Sequence, residues 1–346
     1  MSPKPVSLRQ LGQNGPSVPA MGFGLMGLSG AYGTPPSDEE RFKVLDRAYE
    51  LGATFWDTAD AYLDNEELIG KWFKRTGKRD EIFLASKFGI QMNGVQFKGI
   101  DSSASYCRQA CEKSLERLGV DCIDLYYAHR VNPQTPIEET MRAMAELQAE
   151  GKIKRIGLCE VSPTTLQRAV KIAPVAAVQM EYSPFVREIE GPPHGPPLLQ
   201  ACRKLGIATV CSSPLGRGLL TGTFMTRESV SGADDLRGQH FPWFSEDNID
   251  ANAKLMGQFK AMAEGKGCTA AQLALAWTLK QGEDVIPIPG TKKIKYLEEN
   301  WAALGVQLSD GDEKEIRKFV ENAELAGYRS MDVAKVFAFV ETKEEA

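Results

Sequence analysis

Four side chains in the N-terminal part of the chain are of types that together can manage a proton: Asp57, Tyr62, Lys87 and His129. A free phenol has a pKa of about 10, too high for efficient donation near neutral pH. A lysine ammonium against its oxygen favours phenolate and lowers that value. Asp57 would hold Lys87 by an ion pair. His129, as a neutral imidazole or a cation, would hydrogen-bond a substrate oxygen and orient it. Such a set suits a carbonyl oxygen that gains negative charge as hydride arrives at its carbon. Taken singly, each residue has a plainer structural reading as an ion pair, a rim aromatic or a core histidine. Their placement argues against that reading. Asp57, Lys87 and His129 end successive apolar runs, and Tyr62 lies in the loop after the first.

These runs belong to a longer series at residues 53–57, 82–87, 123–129, 155–160, 177–180, 208–212 and 284–288, with 18–24 preceding them. Each is short and rich in β-branched or aromatic residues, as a buried strand is. Helix-period patterns fill the intervals at 38–51, 103–118, 137–150, 164–172, 198–205 and 269–281. Strand and helix alternate about eight times, which predicts parallel strands joined by helical crossovers. Polar residues collect at the C-terminal ends of the runs: Asp57, Lys87, His129, Glu160, Gln179 and Ser212. A closed barrel gathers all such ends around one mouth, whereas an open sheet spreads them along a line. The expected fold is therefore an α/β (β/α)8 TIM barrel over residues 1–320. It carries an N-terminal hairpin plugging the bottom at 7–18, a long loop after strand seven at 215–248, and a C-terminal helical extension. Residues 321–346 form a tail that packs near the barrel mouth or lies elsewhere.

Composition excludes several classes. The 346 residues are 42% hydrophobic and 25% charged, which supports a sizeable core. A net charge of −5 provides no bulk positive field for nucleic acid or an anionic membrane. No apolar run approaches the ~18 residues of a membrane span, and residues 1–15 show no apolar signal core. Seven scattered cysteines suggest a reduced, cytoplasmic setting. There is no compact His/Cys cluster, so no metal is expected.

Gly22-Phe23-Gly24-Leu25-Met26-Gly27 satisfies GxGxxG, but a dinucleotide fingerprint must open a helix. The following stretch, rich in Gly and Pro, cannot. The segment reads instead as a tight bend at the barrel rim, with Gly24 and Met26 available to a cofactor. At the other end of the chain, residues 285–293 run from strand into helix. Thr291 is the expected N-cap, and Lys292 and Lys293 add charge where helix N–H groups attract an anion such as a phosphate monoester.

Asp57-Thr58-Ala59-Asp60-Ala61-Tyr62, Ser86-Lys87 and Tyr126-Tyr127-Ala128-His129-Arg130-Val131 resemble the signatures of the aldo-keto reductases. The resemblance covers residues 8–308 and is nearest the general aldo-keto reductase branch of fungi, plants and bacteria. It implies NADP(H)-dependent reduction of small-molecule aldehydes or ketones without a metal. Tyr62 would be the acid, and Asp57, Lys87 and His129 would complete a tetrad. It also implies that Gly290, Thr291 and Lys292 meet the adenosine phosphate, and Glu299 and Asn300 the adenine. Tyr296 stands where the branch often has arginine. Gln179 would bind the carboxamide beside Glu160, with Cys159 in place of the usual serine. Ser212 replaces a tyrosine that stacks on the nicotinamide. Ser213, Leu215, Gly216 and Gly218 would contact the cofactor largely through backbone, and Arg217 would reach the pyrophosphate.

Tyr32, Phe88 and Trp243 are expected to wall a substrate pocket over Tyr62, together with Met92, Phe241 and Phe244. His240 is a possible polar contact. Cys159 and Cys211, near the cofactor, suggest that bulky thiol reagents impair its binding. A cofactor-sensing partner subunit remains the alternative to an enzyme, because potassium-channel β subunits also resemble this family.

Overall fold

The computed structural model describes residues 6–94, 96–331 and 335–345. Side-chain alternation along eight short strands sets its architecture. The strands are β1 (Phe23–Gly24), β2 (Phe55–Asp57), β3 (Phe83–Phe88) and β4 (Leu125–Ala128), then β5 (Ile156–Cys159), β6 (Val175–Glu181), β7 (Ala208–Ser212) and β8 (Val285–Pro287). All pair in parallel with their neighbours in chain order. The sheet closes where Gly22 N–H donates to the Pro287 carbonyl at 2.9 Å and Gly24 N–H to that of Pro289 at 3.2 Å. The result is a (β/α)8 barrel.

The alternation divides the core in two. Phe55, Ala85, Leu125, Tyr127, Ala177, Val210 and Ile286 point inward and fill the barrel. Trp56, Leu84, Phe88, Tyr126, Leu158, Val178 and Met180 point outward under the helices. Gly157 belongs to the inner fit, because a Cβ there would lie 2.3 Å from the Tyr127 ring. The crossover helices start and stop where local chemistry dictates. Ala104–Leu118, for example, is capped by the Ser103 side chain and ends at Gly119, whose φ of 63° a residue with a side chain adopts at a cost.

The expected first strand at 18–24 is split. Ser17–Pro19 pairs antiparallel with Leu8–Gln10 in the N-terminal hairpin, and Phe23–Gly24 alone joins the barrel. Leu11 and Val18 of the hairpin enter the inner core. Gln13 N–H bonds to the Gly206 carbonyl, just before β7, so the hairpin closes the N-terminal end. A second hairpin, Ile90–Asn93 with Gln96–Ile100, follows β3 and was not expected. The tail recrosses the C-terminal face. Val340 makes a parallel bridge with Val161, and Lys343 N–H bonds to the Pro133 carbonyl. Among the described residues, no helix is long and apolar enough to cross a membrane.

Candidate active site

Inward residues of the last core layer are Phe55, Ala85, Tyr127, Ala177 and Val210. Two positions further along each strand stand Asp57, Lys87, His129, Gln179 and Ser212. Period-two geometry therefore brings these polar groups to one level at the mouth. Tyr62 reaches the same place from the turn after β2. That turn is pinned by a 2.6 Å hydrogen bond from the Thr58 hydroxyl to Asn65 Oδ1 and by a 3.1 Å bond from Asp60 N–H to the Lys87 carbonyl.

Lys87, fully buried, donates to Asp57, to the Thr58 carbonyl at 2.8 Å and to Tyr62 Oη at 3.4 Å. Gln179 Nε2 donates to the other Asp57 oxygen at 2.7 Å. The His129 ring meets the Tyr62 ring edge-on, with centroids 5.7 Å apart. Burial works against the Lys87 charge, but Asp57 and the Tyr62 oxygen outweigh it and hold the ammonium above the usual lysine range. Burial also lifts the Tyr62 pKa above the ordinary phenol value. Lys87 pulls the other way without prevailing, which corrects the expected net fall. Burial, then Lys87 and Arg130, push His129 well below the usual imidazole range. It is a neutral ring at physiological pH.

Asp57, Tyr62 and Gln179 line a cavity of about 440 Å³, whereas Lys87 and His129 are buried behind them and are not part of its lining. Gly24, Met26 and Tyr32 share that lining with Ser212, Ser213, Leu215, Arg217 and Gly218. Gly290, Thr291, Lys292, Tyr296, Glu299 and Asn300 also line it. Lys292 Nζ donates to the Tyr32 carbonyl at 2.7 Å and so ties the two rims together. The helix Ile294–Ala302 begins with Lys293, not Thr291, at its N-cap, and no side chain caps it.

Several expected residues lie elsewhere. Phe88 is one register step from Lys87, so it faces the helices and stacks on Tyr126 with centroids 5.2 Å apart. Trp243 is buried behind the Gly216 loop, where its ring would lie 3.2 Å from a Cβ on Gly216. Gly216 itself is buried against Leu220 and does not line the cavity. Cys159 points into the barrel interior with its thiol pushed up to about 12 by burial. Cys211 faces the outer core, and burial raises its thiol too. Neither thiol is poised to react, which removes the basis for reagent sensitivity. Glu160 is buried beside Arg130 and Arg329 and does not line the cavity. Phe241 and Phe244 are buried, while Met92 and His240 are exposed.

Sequence reasoning missed Thr221, Thr223, Phe224 and Arg237, all lining the cavity from the long loop after β7. Arg237 is ion-paired with Asp235 and lies 3.6 Å from the centre of the Phe224 ring and 5.2 Å from that of Tyr32. An arginine two residues from an aspartate in an aromatic-rich loop was the available signal. Arg217 occupies a left-handed backbone conformation, φ 58°, between Gly216 and Gly218 of φ 55° and 97°. That conformation costs a residue with a side chain roughly 1–2 kcal/mol. Its guanidinium forks onto Glu181 at 2.9 and 3.0 Å, which holds it there.

Fold and cavity together describe a barrel enzyme with a buried lysine–tyrosine pair beside a cation-lined cleft. The chain belongs to the aldo/keto reductase family, whose pattern matches residues 20–321. It is 49% identical over 331 residues to the aldo-keto reductase str7 of Strobilurus tenacellus, covering 94% of this chain and 95% of that one. It is 46% identical over 340 residues to the aldo-keto reductase yakc [NADP(+)] of Schizosaccharomyces pombe, covering 97% and 98%. The glycerol dehydrogenase of Gluconobacter oxydans superimposes with a TM-score of 0.78 at 28% identity, covering 90% of this chain and 94% of that one. Family membership makes the chain an oxidoreductase of carbonyl groups.

Proposed function

We propose that the protein reduces small-molecule aldehydes or ketones to alcohols with NADP(H), and that Tyr62 supplies the proton. The observation that carries the reading is the buried Lys87 nitrogen in contact with Asp57 and 3.4 Å from Tyr62 Oη, behind the two residues, Asp57 and Tyr62, that line the cavity. The donor set fits a dinucleotide phosphate. Gln179 offers an amide, and Arg217, Lys292 and Lys293 offer cations, all on the lining of one cavity. The relative yakc carries NADP(+) in its name, which supports the same choice. The chemistry that such a nucleotide would supply here, when bound, is hydride for the carbonyl carbon.

The chain's own residues handle the oxygen. Tyr62 donates its proton there as negative charge develops; because burial raises its pKa, the donation depends on Lys87 to stabilise the phenolate as it forms. Lys87, already fixed by Asp57 and the Thr58 carbonyl, stabilises the nascent phenolate without reorganising. His129, neutral, donates one ring N–H to the same oxygen and sets its angle of approach. Its Nδ1 is buried and has no protein partner among the described residues. The seven free cysteines support a cytoplasmic setting.

Tyr62→Phe tests the assignment. Carbonyl reduction should fall by about 10²–10⁴-fold, while fluorescence titration still registers NADPH binding. A phenylalanine variant with native turnover would remove Tyr62 from the acid role. Steady turnover of simple aldehydes by the native chain distinguishes an enzyme from a cofactor-sensing subunit.

A further inference from the structure

The C-terminal tail sends one side chain into the barrel's polar rim. Arg329, only 5% exposed, donates to Glu181 at 2.9 Å and to Glu188 at 2.9 Å, and lies 3.5 Å from Glu160. Glu181 ends β6 and is itself 3% exposed. Its second role is to receive the fork of Arg217. Arg217 lines the cavity, lies 4.5 Å from the centre of the Phe241 ring, and keeps the left-handed backbone described above. A single carboxylate thus joins a tail cation to a cavity cation. Without Arg329, Glu160 and Glu181 would be buried beside each other's strands with their shared counter-charge removed.

We infer that Arg329 is a positioning residue for nucleotide binding: by fixing Glu181, it holds Arg217 and the backbone of residues 216–218 in the form that lines the cavity. The inference rests on the cofactor reading above. It makes the tail part of the binding apparatus, although Arg329 itself does not line the cavity. It also accounts for a strained arginine between two glycines. Strain persists where surrounding contacts over-determine it, and here those contacts pass through Glu181 to the tail.

The test is a double-mutant cycle read by NADPH fluorescence titration on the full chain. Arg329→Met should weaken NADPH binding about tenfold or more, with kcat at saturating nucleotide changed by less than about threefold. Arg217→Met should weaken it at least as much. The double variant should bind like Arg217→Met alone, because Arg329 acts through Arg217. Should Arg329→Met fail to fold, Arg329→Lys keeps the charge but loses the fork, and is expected to show an intermediate loss. Additive losses overturn the inference. So does NADPH affinity within about twofold of native in Arg329→Met, or in Arg329→Lys if the methionine variant does not fold. A native chain that binds no NADPH would overturn the cofactor reading itself and this inference with it, a result distinct from native binding that ignores Arg329.

Discussion

Three demands meet at the Lys87 nitrogen: it must stay charged in a fully buried position, hold Asp57, and face the Tyr62 oxygen. The sequence announced the participants through residue type and strand-end spacing. It did not announce the balance of forces, because burial is a property of the assembled barrel. An exposed phenol beside an ammonium would be more acidic than usual, yet the buried Tyr62 is less so. The pH dependence of reduction follows. With Tyr62 as the proposed acid, reduction would need its protonated form, which dominates below its pKa, and that pKa lies above the free value of 10.0. His129 is held well below 6.5, so it gains no proton on descending through the mildly acidic range. The value of kcat/KM for carbonyl reduction should therefore stay level from about pH 6 to 9 and fall only as Tyr62 ionises beyond about pH 10. A pH–rate profile checks this. A break near pH 6.5 that disappears in His129→Gln would show that the imidazole does titrate.

Among the elements, the strand ends were legible and the register was not fully so. Ala208–Ser212 has the expected bounds, and most other strands shift by one or two residues. Phe88 shows what a single register step does, since it shares a strand with Lys87 and faces the opposite side. The hairpin after β3 escaped notice because its residues alternate without enclosing a core. The turn that carries Tyr62 holds a further consequence. Asp60 lies within it, its Oδ1 buried without a hydrogen-bond partner among the described residues. Burial, with Glu66 nearby, pushes its carboxyl up to about 8 from 3.8. Between those values the native state keeps a proton that the unfolded chain releases, so this group lowers stability as pH rises through the window. Asp60→Asn should raise Tm by about 2–4 °C at pH 8 and change it little at pH 4. Thermal melts at the two pH values decide the matter. An equal shift at both would mean that Asp60 does not titrate there.

At the scale of the whole molecule, the glycine-rich segment that mimics a dinucleotide fingerprint turns out to be the barrel's closing seam. Residues alternate in the direction of their backbone groups along β8 and its extension. Ile288 donates its N–H to Cys211, toward β7, whereas Pro287 and Pro289 turn their carbonyls to Gly22 and Gly24. Proline is tolerated here because strand β1 asks only for acceptors. Pro287 and Pro289 have no N–H to offer across this seam, so close backbone approach matters there. A Cβ on Gly290 would lie 2.5 Å from the Gly24 carbonyl oxygen, with backbone on both sides and no flexible side chain to yield. The cavity straddles this junction, with Gly24 and Met26 on one side and Gly290, Thr291 and Lys292 on the other. Gly290→Ala should therefore cost ~1–3 kcal/mol of stability and weaken NADPH binding as the two rims part. Gly257→Ala, in the helix Ile249–Gly265 with open space around the added methyl, is the matched control. It should gain about 0.5–1 kcal/mol and leave nucleotide affinity alone. Chemical denaturation and fluorescence titration on both variants separate the outcomes. A Gly290→Ala protein as stable and as tight-binding as native would mean that the barrel is not held shut at this seam.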